Sequence, residues 1–380
     1  MSARKLRVAV LFGGRSAEHE ISVLSARFVL ESLDRERFEP VLVGITKDGR
    51  WVRESEAALL AQSRDPRLAQ VNAAEAAAEL HLAAHPVIPA HESSAQAALL
   101  GGEAAEGIDV VFPVLHGPMG EDGTIQGLFR LAEVAFVGSG VLGSAVGMDK
   151  DVMKRLFHEA GLPIVPHRTL KRRSFDKNRA AVLADLQAFA GGEALFVKPA
   201  NLGSSVGVSK AASSEALGPA LDHAFAFDDK VVVERGVPGV REIECGVLGN
   251  DEPIASVVGE IVVTHADGFY SYDAKYVDSS GSHTVIPAEI SPLEATRVQT
   301  LAVQAFEVLG CDGLARVDFF RAADGTIYLN EVNTMPGFTA ISMYPKLFEA
   351  SGIGARELVT RLVELGLERA REKRALRTSA

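Results

Sequence analysis

The segment from Arg316 to Asn333, RVDFFRAADGTIYLNEVN, carries the densest chemistry in the chain. Two β-rich runs, 316–320 and 327–333, flank Asp324-Gly325. Asp-Gly between such runs is a strong short-range hairpin signal. A two-residue loop there sets Asp318 opposite Glu331 and Arg316 opposite Asn333. Strand alternation then puts all four on one face. Carboxylates directly opposite each other repel, and a divalent cation between them removes the conflict. An all-oxygen ligand set suits Mg²⁺ bound together with phosphate oxygens. Arg316, beside that site, could hold a charged oxygen of a transition state. The competing reading, a solvated polar hairpin face, leaves the charge conflict unexplained.

Other segments offer compatible chemistry. The loop Gly203-Ser-Ser-Val-Gly207 follows a strand bearing Lys198. Glycines let backbone N–H groups approach an anion, and small hydroxyls add donors. Lys198 supplies a point charge for phosphate. No Walker A pattern is present, and half of such loops are plain turns. Glu234, Arg235 and Val237 end a strand where an adenine could meet backbone groups and a carboxylate. On local grounds Glu242 and Glu244, on the next strand, read as solvent-facing. The Gly-rich loops after Phe12 and after Leu115, which hold Glu18, Glu20 and His116, occupy the C-terminal ends of strands, the preferred ligand edge of a parallel sheet. The first leads into a helix N-terminus that attracts a carboxylate, while Glu18 or Glu20 could bind an ammonium. His265 to His283 is long and rich in Gly, Ser, Asp and Tyr, as lids often are; Lys275 and Tyr276 would be its polar contacts. Gly138-Ser-Gly140-Val-Leu-Gly143 matches GxGxxG and suggests a dinucleotide-binding oxidoreductase instead. That fingerprint needs a following strand ending in an acidic residue about 20 positions on, and none is found.

The elements that must position these groups follow from periodicity. Strands are expected at 6–12, 40–45, 109–115, 195–199 and 230–234. A helix is expected over 16–33, with Ile21, Leu24, Ser25, Phe28 and Val29 on one face, and others near 127–133, over 151–160 and over 290–309. The β-loop-α-β order at the start implies a parallel sheet covered by helices, in an open α/β domain over about 1–145. Residues 53–106 carry little signal, residues 240–333 are mostly strands, and no internal repeat is present.

Length and composition agree. The chain has 380 residues, enough for two or three domains, with 47% hydrophobic and 23% charged residues. The net charge of −11 argues against non-specific nucleic-acid binding. Cys245 and Cys311 lack metal-type spacing, so a reducing cytoplasm is the expected compartment. The apolar run Val8 to Phe12 is too short for a membrane span or a secretory segment and reads as a buried first strand. A non-catalytic binding protein would explain the loops, yet it would not require opposed carboxylates beside an arginine.

Taken jointly, GGRSAEHEIS, HGPMGEDGTIQG, GSGVLGSAVGMDK, VKPANLGSSVGV, YDAKY, GLARVDFF and NEVNTMPGFTAISMYP resemble the D-alanine–D-alanine ligase family of the ATP-grasp superfamily. The resemblance implies an α/β chain, α+β overall. An open parallel N-terminal domain (1–145) would be followed by a two-lobed ATP-grasp fold, with a central subdomain (146–235) and a C-terminal subdomain (236–380) carrying metal site and lid. It implies that ATP phosphorylates one D-alanine and that the amine of a second attacks the acyl phosphate. Glu18, Ser204 and Tyr276 would form a triad fixing the first substrate and the lid, with His116 beside it. Arg316 and the Gly337 N–H would hold the oxyanion. Ser342 would hold the second carboxylate, with Lys275 near it. Lys150, Lys198 and Ser205 would bind ATP phosphates. Glu234, Arg235 and Val237 would read the adenine and Glu242 the ribose, and Phe269 would close over the nucleotide. Asp318, Glu331 and Asn333 would hold two Mg²⁺ (or Mn²⁺) ions. The family also implies a cytoplasmic homodimer. Arg235 stands where a lysine is common in relatives, and Tyr276 resembles dipeptide-forming ligases more than depsipeptide-forming ones.

Overall fold

Strand β1 (Leu6–Gly13) runs between β2 (Phe38–Ile45) and β5 (Val110–Pro113), parallel to both. Its Val8, Val10 and Phe12 pack into one apolar cluster and its Ala9 and Leu11 into another. That two-sided burial is why the strand reads as a continuous apolar run rather than an alternating one. The computed structural model describes residues 4–61, 78–80, 107–264 and 282–377.

The first sheet has the order β4-β3-β2-β1-β5-β6. The expected parallel arrangement holds for β2, β1, β5 and β6 (Ala135–Phe136). It fails at the far edge, where β3 (Trp51–Glu54) and β4 (Ala78–Leu80) add antiparallel strands from the weakly patterned stretch. Helix α1 (His19–Ser32) covers the sheet, but its buried face is Ser22, Val23, Ser25, Ala26, Val29 and Leu30. Ile21, Leu24 and Phe28 are only half-buried. Ser25 and Val29 of the expected face are buried, and the face turns toward Ser22, whose hydroxyl an apolar period cannot register: Ser22 accepts the Gly13 N–H at 2.7 Å, and Ser25 meets His116 at 3.1 Å.

The GxGxxG segment leads into helix α4 (Val141–Met148), after α2 (Glu56–Ala61) and α3 (Thr124–Leu131). Its glycines serve packing. A Cβ on Gly143 would stand 2.7 Å from the Gly310 carbonyl oxygen. Helix α5 (Lys150–Glu159) follows, capped by Asp149, whose side chain accepts from the N–H groups of Asp151 and Val152.

A second sheet, β7-β10-β8-β9, contains β7 (His167–Lys171), β8 (Leu195–Pro199), β9 (Ser209–Ala211) and β10 (Lys230–Arg235). Helices α6 (Arg172–Lys177), α7 (Arg179–Ala190) and α8 (Ser214–Phe225) supply its core partners Phe175, Leu186 and Leu221. The third sheet, β13-β12-β11-β14-β15, is antiparallel throughout. Its strands are β11 (Arg241–Gly249), β12 (Ile254–Val263), β13 (Ser282–Val285), β14 (Gly313–Arg321) and β15 (Ile327–Asn333). Helix α9 (Pro292–Val308) lies on it, started by a Ser291/Glu294 capping box. Helix α10 (Met343–Ala350) packs on β11 and β12, and α11 (Ala355–Ala375) reaches the first sheet, where Arg369 donates to the Phe136 carbonyl at 2.8 Å and pairs with Asp312 at 3.1 Å.

Candidate active site

Strands β14 and β15 pair Arg316 with Asn333 and Asp318 with Glu331, as the spacing predicts. The connection differs from the expected two-residue loop. Arg321 pairs with Ile327, and the Ala322 N–H donates to the Thr326 carbonyl at 2.8 Å. The turn is therefore longer, and a bulge at Asn330, between Phe319↔Leu329 and Asp318↔Glu331, restores the register. The bulge sends both Asn330 and Glu331 toward the pocket, while Leu329 and Val332 stay in the core. Bulges recur next to active sites for this re-aiming.

Each of the two opposed carboxylates has a cationic partner on the chain. Both oxygens of Asp318 accept from Arg316 at 2.7 Å, and Glu331 pairs with Lys150 at 3.2 Å. A third carboxylate, Glu244, lies opposite Asp318 on β11 and is 3.1 Å from Arg316. Glu244 is only 5% exposed, which overturns its reading as solvent-facing. Burial works against the Arg316 charge, but Asp318 and Glu244 hold its pKa well above the ordinary arginine value. Asn333 donates its amide to Asp318 at 2.9 Å. Asp318, Glu331 and Asn333 thus form a clustered, oxygen-bearing set that fits a hard cation, one that must compete with Arg316 and Lys150 for them.

Across the pocket, Lys198 and Glu234 are diagonal neighbours on β8 and β10. Glu234 is 2% exposed, with one oxygen 2.7 Å from Lys198 and the other 2.8 Å from Lys154. Burial alone would push its carboxyl up, yet the two ammonium groups hold it well below the usual carboxylate range. Lys154 escaped the sequence reading, although it sits one helical turn after Lys150 on the same face. The pocket wall also includes Ser204, Ser205, Val237, Glu242 and Phe320. Arg235 borders it too, but its guanidinium donates to the Phe189 carbonyl at 2.6 Å and stacks on that ring. Its charge is thereby engaged at the end of α7.

Glu18 occupies the position before α1 but makes no cap. It accepts a hydrogen bond from Ser204 instead. Ser204 and Ser205 both adopt left-handed backbone, with φ of 52° and 58°; such strain clusters at ligand clamps. Glu20 pairs with Lys47, which leaves Glu18 as the carboxylate facing the loop. His116 is 4% exposed, with one ring nitrogen 3.1 Å from the Met335 carbonyl and the other 3.1 Å from the Ser25 hydroxyl. Burial lowers its pKa, so the ring is neutral and ties the β5 loop to the 334–338 segment.

Glu121 is a further carboxylate beside this edge. It accepts the Gly117 N–H, and burial together with Glu18 raises its pKa to about 8 from 4.5. The native state therefore retains a proton that the unfolded chain loses, and stability falls as pH rises through that window. A Glu121→Gln variant is expected to gain Tm over the parent progressively from about pH 5 to about pH 8. A pH-independent difference in calorimetric Tm would contradict this.

Ser342 precedes α10, and its hydroxyl accepts the Thr339 N–H at 3.0 Å. Gly337 lies against it: a Cβ there would stand 3.0 Å from the Ser342 hydroxyl oxygen, so any side chain at 337 would crowd that hydroxyl. Phe269, Lys275 and Tyr276, with the expected lid, lie outside the described residues.

Two family models match the chain. "D-ala D-ala ligase N-terminus" covers residues 7–139 and "D-ala D-ala ligase C-terminus" covers residues 156–364. The chain is 48% identical over 382 residues to D-alanine--D-alanine ligase A of Escherichia coli (strain K12), with 99% of each covered. Among solved structures it resembles the D-alanine-D-alanine ligase from Coxiella burnetii, with a TM-score of 0.80, 34% identity and 97% of both chains covered. The VanG D-Ala:D-Ser ligase from Enterococcus faecalis superposes with a TM-score of 0.78 and 33% identity, over 96% of this chain and 100% of that one.

Proposed function

The chain belongs to the D-alanine–D-alanine ligase family, and from that premise we propose how its side chains carry out the reaction. The reaction is the ATP-dependent joining of two D-alanines into D-alanyl-D-alanine for peptidoglycan synthesis, with release of ADP and phosphate. The assignment of residues rests on one observation above all: the row Glu244, Asp318 and Glu331, with Arg316 paired to the first two and Lys150 to the third, shares one pocket with Lys198.

Residues 1–145 hold the first amino acid, and the lobes 146–235 and 236–380 enclose the nucleotide. Glu18 takes the first ammonium, with Ser204 and Tyr276 completing a hydrogen-bonded triad that orders the lid. His116 shapes the floor of that site through its bonds to Ser25 and Met335. Glu234, Arg235 and Val237 read the adenine, with Arg235 contributing backbone rather than charge. Glu242 meets the ribose, and Phe269 covers the base.

Lys150, Lys198 and Ser205 draw the phosphates into line. Bound Mg²⁺ or Mn²⁺, two ions held by Asp318, Glu331 and Asn333, would neutralise the transferring phosphoryl group. The chain's own part is positioning and charge, which do most of the work in phosphoryl transfer. The phosphorylated carboxylate is then attacked by the second amine. Arg316 and the Gly337 N–H stabilise the resulting oxyanion, and Ser342 and Lys275 hold the second carboxylate. A closed lid keeps water from the acyl phosphate. No helix among the described residues is long and apolar enough to cross a membrane. ATP as a substrate and two buried free thiols support a cytoplasmic setting, and the family resemblance supports a homodimer.

The deciding experiment is phosphate release with ATP and Mg²⁺ across D-alanine, L-alanine, D-serine and D-lactate. D-Alanine alone is expected to support full turnover. Release without any amino acid would defeat the ligase reading. Ser342→Ala is expected to raise KM for the second D-alanine roughly tenfold, the equivalent of one lost hydrogen bond of about 1.4 kcal/mol to a charged group, and to move the first KM little. Equal shifts in both constants would remove Ser342 from the acceptor site.

A further inference from the structure

We infer that Lys154 is a positioning residue whose ion pair with Glu234 leaves Lys198 able to turn from that carboxylate onto the nucleotide. This rests on the ligase reading above and adds a residue to its nucleotide site.

The two lysines on Glu234 are not equivalent. Lys198 lines the pocket and its ammonium is 5.6 Å from the centre of the Phe320 ring, on the pocket wall. Lys154 is 1% exposed and lies behind the carboxylate. Its ammonium is fixed by Glu234 at 2.8 Å and by the Asn330 carbonyl at 3.2 Å. Helix α5 therefore grips the outer edge of β15, where Met153 sulfur also meets the Val332 N–H at 3.4 Å.

Were Lys198 the only partner of Glu234, its departure toward a phosphate would strand a buried charge, which is strongly unfavourable. With Lys154 in place, Glu234 stays neutralised whichever way Lys198 turns. With both lysines protonated the three side chains together carry one net positive charge, and it is the pocket-lining lysine that delivers it.

The test is a double-mutant cycle read by calorimetric ADP binding in Mg²⁺ and by steady-state KM values. Lys154→Met is expected to weaken ADP binding and raise the ATP KM at least about tenfold, because Glu234 then captures Lys198. Both D-alanine KM values should stay within about threefold. Added to Glu234→Gln, the same Lys154→Met change should alter ADP affinity less than about threefold, since no carboxylate remains to be neutralised. An ADP affinity for Lys154→Met within threefold of the parent's overturns the proposal. So does a tenfold loss in the Glu234→Gln background, which would mark Lys154 as general scaffolding. If Lys154→Met alone does not fold, the comparison in that background decides. A parent chain that turns over no ATP with D-alanine would defeat the ligase reading, while the ADP cycle would still report on Lys154.

Discussion

Glu331→Gln is expected to fold and to lose at least about a thousandfold in turnover. The substitution keeps shape and one oxygen and removes the charge. Glu331 stands directly opposite Asp318 and 3.2 Å from Lys150, so it faces both the proposed metal position and the lysine proposed to bind phosphate. Neutralising phosphoryl charge by a bound metal supplies several kcal/mol, and about 4 kcal/mol corresponds to a thousandfold in rate. Half-buried and at the pocket rim, Glu331 contributes little to folding, so Tm should move by only a few degrees. The measurement is phosphate release across a Mg²⁺ titration, together with ADP binding with and without the metal. Turnover within tenfold of the parent at unchanged Mg²⁺ dependence would take Glu331 off the ligand set.

Arg316→Met carries the second large effect, and it is double. As the group for the developing oxyanion, Arg316 should account for a factor of about a hundred to a thousand in turnover. It is also the counter-ion for two carboxylates, with both oxygens of Asp318 at 2.7 Å and Glu244 at 3.1 Å. Removing one partner of a buried ion network costs roughly 3–5 kcal/mol, because the charges left behind stay desolvated. The variant should therefore unfold at a clearly lower temperature than Glu331→Gln, and Mg²⁺ should raise its Tm more than the parent's, by replacing the missing charge between Glu244 and Asp318. A catalytic loss without any stability loss would refute the counter-ion role.

The β14–β15 hairpin shows how far residue spacing reaches. Asp-Gly flanked by β-rich runs placed the four polar residues correctly, although through a loop that is not the one formed. The longer turn and the bulge at Asn330 offset each other, and alternation alone could not foresee either. Glu244 reads as solvent-facing because its neighbours in sequence offer it no partner; Arg316 reaches it only when β11 and β14 pair. Lys154 was silent for the same reason, since Glu234 is distant in sequence and joins it only through tertiary contact. On the buried face of α1, Ser25 and Val29 were read and Ser22 was not, because hydrophobic period does not count a hydroxyl that satisfies buried partners.

What the amino-acid sequence determined by itself were the local things: the apolar run of β1, the helix periods, the Gly-rich loops at strand ends and the hairpin around Asp324-Gly325. Each depends on backbone preference and side-chain period within a few residues. What only the tertiary structure decided was which charges meet. Lys150 on Glu331, the two lysines on Glu234 and Arg316 between Asp318 and Glu244 are pairings across sheets and helices, and burial sets their strength. Coulomb energy depends on distance and on exclusion from water, and neither quantity exists until the second and third sheets have come together around the pocket.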